Sequence, residues 1–404
     1  MSLLRSRLGI FSDRNFALFS LGNTVSWLGA WAQRIGVGWL SWDLSHSASW
    51  VGLVSLAQYL PLIFFAPLFG GLLDRCDTKR YAIVVNCVMT ALAIVLYVVT
   101  VLDVLTVERL CALSVLLGIA SSAYQPVRLT LVNEMAPPGR LAEAIAANSI
   151  LYNVTRTAGP ALAGIAIATM GVAATFAINA ISFAAIIAAL VVIDIRPVAP
   201  RPSEGFVKDF VAGVRYVMGH GFIGELMLLS LVTSTLGRGV VELMPAFAGG
   251  LYHRGSAGLA ALTTAGGIGA ILGGALLSKA GSAGWLPVLA RRGALWVGAI
   301  VVLLGVAPNF WLAVLVVGIL GLAVVVCSVG LQVLLQKSID AAFRGRVLGL
   351  WGMCNVAGPG IGGALIGSVA QVTGLRGATI ISGLICAVLT VWIVRRSRGL
   401  STDK

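Results

Sequence analysis

The sequence predicts an all-α membrane protein in which twelve transmembrane helices form two pseudo-symmetric six-helix bundles. Hydrophobic residues make up 58% of the 404 residues, charged residues 11%, and the mean hydropathy is +0.97. Soluble domains carry about 25% charged residues, so lipid must be the solvent for most of this chain. The apolar runs approach the ~20 residues that a spanning helix needs, and they exceed the ~10 residues of a spanning strand.

Twelve such runs follow one another, and together they account for most of the chain. We expect spans at residues 16–42, 50–73, 81–102, 109–132, 144–168, 174–194, 222–248, 257–277, 292–307, 310–335, 347–372 and 376–394.

The basic residues predict the orientation of these spans. Twenty-one of the 28 lie at the termini or in the even-numbered turns, whereas Arg109, Arg254 and Arg376 lie in the odd-numbered turns. Because positive residues accumulate on the cytoplasmic side, we expect a multi-pass membrane protein with both termini in the cytoplasm. The net charge of +13 then reflects topology and contact with anionic membrane lipids, not nucleic-acid binding.

Several classes of chemistry have no signal in the chain. The six cysteines are scattered without a CxxC pair or histidine partners, which excludes the usual metal and disulfide patterns. No nucleophile–base pair and no phosphate-binding glycine loop is visible. We therefore expect no cofactor, no metal and no enzymatic activity, and the first apolar run is too long for a cleavable signal peptide.

The chain also divides into two halves. Prolines and charges interrupt the apolar pattern after residue 195, and a helical period then begins at Phe206, as is typical of an interfacial amphipathic helix. We expect an N-terminal bundle at 1–195, a cytoplasmic linker at 196–221 and a C-terminal bundle at 222–404. Residues 69–75 are echoed by 273–279, and 158–164 by 357–363. Such repeats are typical of secondary transporters.

The turn after the second span carries a recognisable spacing. Gly70, Asp74, Arg75, Lys79 and Arg80 follow a Gly-x-x-x-Asp-Arg-x-x-x-Lys-Arg pattern, which resembles the corresponding loop of the major facilitator superfamily of transporters. Other strings are similar to its bacterial branch of siderophore exporters and macrolide efflux proteins, the third drug:proton antiporter group. These strings are residues 15–16, 29–34, 60–62 and 213–217. The resemblance to a bacterial branch implies a location in the inner membrane of a bacterium.

The resemblance implies a mechanism and a set of switch residues. It implies alternating access, with proton antiport as the energy source, and a conformational switch formed by the loop and the two Gly-Pro strings. The implied switch residues are Gly70, Asp74, Arg75, Lys79, Arg80, Gly159, Pro160, Gly358 and Pro359. The chain departs from the pattern at Asp77 and Thr78, where the family usually has Gly and Arg, and at Ala30, where the branch often has an acid.

A few charges lie well inside the predicted spans, where they are costly and therefore candidate site residues. They are Arg34, Arg128, Arg156, Arg238 and Glu242. Their positive surplus favours an anion in a site of low dielectric constant. Arg156 is equally explained as a structural partner for backbone carbonyls.

Two spans are expected to supply substrate-binding residues. In the first span, Trp27, Trp31 and Arg34 share one helical face, although an interfacial tryptophan belt is the alternative for the indoles. In the fourth span, Tyr124, Gln125 and Arg128 lie within about one turn, and snorkelling to the cytoplasmic surface is the alternative for Arg128.

The seventh span places Arg238 and Glu242 four residues apart on one face. A simple internal ion pair explains both residues. The alternative is that Arg238 contacts an anionic substrate, which frees Glu242 to carry the coupling proton.

We expect a monomeric exporter of an amphipathic, anionic small molecule, either a siderophore or a drug-like compound, driven by protons. The alternatives are a lipid or lysolipid flippase of the same fold and a membrane scaffold or sensor that does not transport.

Overall fold

The computed structural model describes residues 9–73, 75–193, 206–282, 285–340 and 342–401. Within these ranges all regular secondary structure is helical. The first six long helices are α1 (Arg14–Ser45), α2 (Ala48–Leu73), α3 (Thr78–Val101), α4 (Val107–Met135), α5 (Leu141–Met170) and α6 (Ala173–Val192).

The second series follows a linker helix, Phe206–Gly219. It consists of the composite helix α7 (221–251), α8 (Gly255–Ser282), α9 (Leu286–Val306), α10 (Phe310–Ser338), α11 (344–373) and α12 (375–401). Helices α11 and α12 form one continuous run that bends at Gly374, whose φ of 71° lies in the left-handed region that glycine tolerates.

Helix α7 changes its hydrogen-bonding pattern along its length. An α-helix at Gly221–Val232 passes into a π-helix at Thr233–Gly237. Short α-helical pieces at Gly239–Glu242 and Met244–Ala246 follow, and a second π-helix closes the element at Phe247–Leu251. π-Helical turns are rare and occur frequently at functional sites, so α7 is the element whose backbone departs most from a regular helix.

The described helices confirm an all-α membrane fold. Nine of those in the described part of the chain are long and apolar enough to cross a membrane, and one of the nine contains both α11 and α12. Helices α1 and α5 add 32 and 30 residues, so the set is consistent with the twelve predicted spans.

Helix α9 begins earlier than its apolar run suggests. It starts at Leu286, whereas the predicted span starts at residue 292. The six additional residues include Arg291, which reads as a loop residue in the sequence. In the helix its Nη2 lies 2.7 Å from Oε2 of Glu225. The Glu225 side chain is 2% exposed, and this pairing makes the arginine compatible with a helical position near the membrane.

The chain forms two compact units. The N-terminal unit comprises Met1–Leu40 and Pro61–Arg201, and the C-terminal unit comprises Ser41–Leu60 and Pro202–Lys404. The end of α1 and the first half of α2 thus pack with the C-terminal helices. The division into repeated halves at 1–195 and 222–404, with a linker at 196–221, stays a prediction.

Small residues explain why the first half of α2 belongs to the C-terminal unit. A Cβ added at Gly52 of α2 would overlap the backbone of Gly363 on α11. Gly363 also lies against α7, because a Cβ added there would meet the side chain of Glu242 at 3.1 Å. A Cβ at Gly367 would overlap the backbone of Ala48 in the same way. Small residues let helix backbones approach closely in lipid, so α2 and α11 lie in direct backbone contact at these glycines.

The linker helix is attached to the C-terminal unit through Tyr216. Its hydroxyl donates to Oδ2 of Asp340 at 3.0 Å, and its ring stacks on Phe343 with centroids 4.4 Å apart. Phe210 and Met218 remain exposed on the same helix, Met218 to 82%. The helix therefore keeps an apolar surface, as its amphipathic pattern predicts.

Candidate substrate-binding site

Aromatic rings of α1 and α5 form the centre of the candidate site in the N-terminal unit. Trp27 and Trp31 are four residues apart and share a face of α1. Tyr152 of α5 lies against both, with centroids 5.2 Å from Trp27 in an edge-on arrangement and 6.4 Å from Trp31. Edge-to-face contacts at these separations are favourable for aromatic pairs. Trp27 is 6% exposed, which argues against an interfacial belt position for this indole.

Arginines surround these rings. The guanidinium of Arg128 lies 5.7 Å from the Trp27 ring and 5.0 Å from the Tyr152 ring, and that of Arg34 lies 5.0 Å from the Trp31 ring. Both distances and geometry fit cation–π contacts. We name this group of three rings and its arginines the aromatic–arginine cluster.

Arg128 keeps part of its hydrogen-bonding capacity unused. Its Nε is buried and has no hydrogen-bond partner among the described residues. A guanidinium that simply reached for the cytoplasmic surface would place this atom in water. The buried position on two rings therefore favours a role inside the protein over snorkelling.

Helix α5 contributes a third arginine. Arg156 follows Tyr152 by one helical turn, and it lies close enough to Tyr152 and Arg34 to interact electrostatically with both. The prediction that Arg156 equally serves a structural role stays open, but its neighbours belong to the aromatic–arginine cluster.

The remaining predicted residues of this unit lie beside the cluster. The Tyr124 hydroxyl donates to Oδ1 of Asn23 at 2.8 Å, which ties α4 to α1. Gln125 is half-buried on the same turn of α4, and its role in binding stays a prediction. Gly159 permits the close approach of α5, because a Cβ there would overlap the side chain of Trp31.

Glu242 belongs to the C-terminal unit, where two hydroxyls face its carboxylate. The Ser55 hydroxyl donates to Oε2 at 2.9 Å, and the Tyr59 hydroxyl donates to Oε1 at 3.4 Å. Both donors come from the first half of α2. The two hydrogen bonds tie the first half of α2 to α7.

Arg238 lies directly after the first π-helical turn of α7. Its Nη1 donates to the carbonyl oxygen of Asn355 on α11 at 3.3 Å. The predicted ion pair with Glu242 stays a prediction. The same part of α11 is packed closely on α7, since a Cβ at Gly358 would overlap the Ser234 hydroxyl, and Pro359 follows it in the chain.

The loop after α2 has well-defined local contacts, although Asp74 lies outside the described residues. Lys79 Nζ donates to the carbonyl oxygens of Val191 and Ile193 at 3.1 and 2.8 Å, and so caps the end of α6. Arg75 and Arg80 are exposed. Gly70 has only Pro126 Cβ near an added Cβ, at 4.0 Å. The switch role of these residues and of Pro160 stays a prediction.

The two departures from the loop pattern have structural explanations. Asp77 is the N-cap of α3 and accepts from the Arg80 backbone N–H at 2.7 Å. The Thr78 hydroxyl donates to Oε1 of Glu134 at 3.0 Å, and Glu134 is 7% exposed. An aspartate N-cap is among the strongest, so the altered loop still fixes the start of α3.

Three elements of these sites were missed by sequence reasoning. Tyr152 was visible as a neighbour of Arg156, and its spacing of four from that arginine could have placed it on the same face. The sequence does not show which side of α2 carries Tyr59, because the residue that it contacts, Glu242, lies on another helix far away in the sequence. The Glu225–Arg291 pair joins residues 66 positions apart, and no local signal marks such a pair.

The family assignment follows from a comparison over nearly the whole chain. A family model described as transmembrane secretion effector matches residues 5–402. The chain belongs to this family of major facilitator transporters. The assignment confirms the predicted resemblance, and it also confirms that this transporter is not an enzyme.

Two relatives of the transporter are named after the siderophores enterobactin and staphyloferrin A. The enterobactin exporter EntS of Escherichia coli O81 is 27% identical over 338 residues, which cover 81% of this chain and 78% of that protein. The staphyloferrin A transporter of Staphylococcus aureus is 24% identical over 174 residues, or 43% of this chain and 42% of that protein. The second match thus spans less than half of the relative.

Solved structures support the same fold. A bacterial homologue of the human lysosomal transporter Spinster, in an inward-facing unoccupied conformation, matches with a TM-score of 0.74 at 14% identity, covering 97% of this chain and 99% of that one. A POT family transporter in complex with 5-aminolevulinic acid matches with a TM-score of 0.74 at 14% identity, covering 97% and 98%. At this identity the likeness concerns the fold of the transporter alone.

Proposed function

We propose that this transporter exports an anionic small molecule that carries an aromatic ring, of the siderophore class. The observation that carries the proposal is the aromatic–arginine cluster. Arg34 and Arg128 each lie over a tryptophan of α1, and Tyr152 lies against both indoles. Guanidinium groups recognise carboxylates and other oxyanions, while the rings offer flat surfaces for stacking.

The charge balance of the N-terminal unit supports an anion over a cation. Among the described residues of this unit, the acidic ones fall near the ends of helices or in turns, as Glu134 and Glu143 do. Arg34 and Arg128 on the rings, with Arg156 near enough to Arg34 to interact with it, therefore generate a positive potential that an anionic ligand would neutralise. A cationic drug would add to the charge instead.

The relatives support the siderophore class. An exporter of enterobactin and a transporter of staphyloferrin A are both similar to this chain. The first of these relatives is named an exporter, and we propose the same direction of transport for this chain.

Proton coupling through Glu242 completes the proposed cycle. Its carboxylate accepts hydrogen bonds from Ser55 and Tyr59, and protonation would remove its negative charge. Arg238 lies four residues before it and contacts the backbone of α11. Glu242 lies where α2 packs on the C-terminal helices. Its protonation and deprotonation there would couple the proton gradient to a movement of these helices.

The test is uptake of radiolabelled enterobactin by inverted membrane vesicles, with and without a proton gradient. We expect gradient-dependent uptake by the unmodified protein and its loss in the double variant Arg34→Gln, Arg128→Gln. Arg14→Gln is the matched control, because Arg14 is exposed at the start of α1. Equal uptake by all three proteins would contradict the proposal for the cluster, and uptake that is independent of the gradient would contradict the coupling.

A further inference from the structure

A cavity lies in the C-terminal unit, and neither Glu242 nor Arg238 is among its lining residues. Its volume is about 390 Å³, within the range of about 300–1,000 Å³ that small-molecule sites occupy. It is formed where α1, α7 and α11 end, at turns whose charges predict an outer location. Trp42 and His46 form one wall of the cavity, and their ring centroids are 5.7 Å apart with planes at 58°.

The backbone of α7 is shaped to receive the Trp42 indole. Gly249 and Gly250 belong to the second π-helical turn, Phe247–Leu251. A Cβ added at either glycine would overlap the indole ring. The glycines therefore let the ring lie directly against the helix, and its opposite face is available to line the cavity.

His46 is held in an unusual backbone conformation beside the indole. Its φ of 47° lies in the left-handed region, which is costly for residues other than glycine. This conformation places the imidazole as the second side of an aromatic corner. The conformation also caps the end of α1, because the His46 backbone N–H donates to the Trp42 carbonyl oxygen at 2.7 Å.

The other lining residues define the chemistry of the cavity. Ala48, Ala246 and Leu251 present small apolar surfaces, while Ser47 and Gln371 supply uncharged hydrogen-bonding groups. The lining that the structure describes contains no lysine, arginine, aspartate or glutamate. The cavity thus suits a flat, uncharged ring that bears hydroxyl groups, whereas the aromatic–arginine cluster suits an anionic group.

We propose that this cavity is an outer binding site for a phenolic ring of the exported molecule. The ring stacks on Trp42, and its hydroxyl groups hydrogen-bond to the amide of Gln371 and to His46. The identity of the ring rests on the proposed function, but the binding itself does not require transport or the arginines.

The test is binding of catechol, an uncharged phenolic probe, to the full-length protein in lipid nanodiscs. Labelling the ten tryptophans with 5-fluorotryptophan gives a ¹⁹F NMR signal for each, and Trp42→Phe identifies the signal of Trp42. We expect this signal to shift saturably with catechol. Absence of a saturable shift at Trp42 would overturn the proposal.

Two variants on α11 make the test specific. Ala370→Phe places a ring in the cavity and should abolish the shift. Val372→Phe adds the same bulk two residues away at a side chain that is 89% exposed, and should leave the shift unchanged. An equal response in both variants would overturn the proposal. The nine other ¹⁹F signals show whether each variant is folded.

A milder variant keeps the proposal testable if Ala370→Phe does not fold. Gln371→Leu removes the amide and should weaken catechol binding about three- to tenfold, as expected for the loss of one neutral hydrogen bond. Unchanged affinity would contradict the assigned contact. The signals of Trp27 and Trp31, observed with 2,3-dihydroxybenzoate, report on the aromatic–arginine cluster separately, so failure of the outer site and failure of the proposed function are distinguishable.

Discussion

Replacement of Arg128 by glutamine is the sharpest perturbation of the proposed anion site. The guanidinium lies over the rings of Trp27 and Tyr152 at 5.7 and 5.0 Å, and its buried Nε has no hydrogen-bond partner in the described part of the chain. A bound carboxylate would satisfy this donor. Glutamine keeps a polar side chain of intermediate length but removes the charge.

The expected loss of affinity follows from the strength of a hydrogen bond between a charged guanidinium and the ligand, which the glutamine variant cannot form. A hydrogen bond to a charged group contributes about 1.5–3 kcal/mol, which corresponds to about a 10- to 150-fold increase in Kd. Arg128→Lys retains the charge without the planar set of donors, and we expect a smaller loss. The Tm should fall only slightly, because glutamine removes the two cation–π contacts but also removes a buried donor without a hydrogen-bond partner among the described residues.

The assay compares two ligands of similar size and shape, of which one carries a carboxylate and the other a neutral amide. Binding of 2,3-dihydroxybenzoate and of 2,3-dihydroxybenzamide is measured by titration calorimetry on the purified protein and on both Arg128 variants. The glutamine variant should lose affinity for the benzoate and keep its affinity for the benzamide. Equal losses for the two ligands, or no loss for the benzoate, would refute the assignment of Arg128 to an anionic group.

Three further variants test other parts of the structure. Glu242→Gln should bind 2,3-dihydroxybenzoate normally yet lose the stimulation of vesicle uptake by a proton gradient; undiminished stimulation would exclude Glu242 as the coupling group. Glu225→Ala leaves Arg291 half-buried without its partner and should lower stability by about 1–3 kcal/mol after allowance for its exposure, seen as a lower Tm; an unchanged Tm would show that the pair contributes little. Gly159→Ala should cost about 1–3 kcal/mol through overpacking, whereas Gly71→Ala, whose added Cβ meets nothing within 4 Å, should be neutral; equal effects of both would contradict the close packing of α5 on α1.

The fold was predictable because its signals are local. Run length, the distribution of basic residues and the internal repeat each depend on residues that are near one another in the sequence. The apolar run alone did not predict the start of α9. Arg291 reads as a loop residue, and its partner Glu225 lies 66 residues earlier, although the proline in the first turn of α9 is a local signal for a helix start.

The candidate site was predictable only in part. Helical spacing placed Trp27 and Trp31 on one face of α1, and the structure has both against Tyr152. The partners on other helices could not be read from spacing. Glu242 illustrates this limit, because its hydroxyl donors come from α2, more than 180 residues away.

The π-helical turns of α7 were also invisible in the sequence. Thr233–Gly237 and Phe247–Leu251 contain glycines and small residues that are common throughout this chain. Their shape depends on contacts with α11 and with Trp42, so tertiary packing rather than local preference determines them.

The charge selectivity of transport tests the central claim most directly. Inverted vesicles containing the unmodified protein are supplied, at equal concentration, with labelled enterobactin and with a cationic macrolide under the same proton gradient. An exporter whose binding site is the aromatic–arginine cluster is expected to accumulate the anionic siderophore and to exclude the macrolide. Accumulation of the macrolide with exclusion of the siderophore would contradict this account.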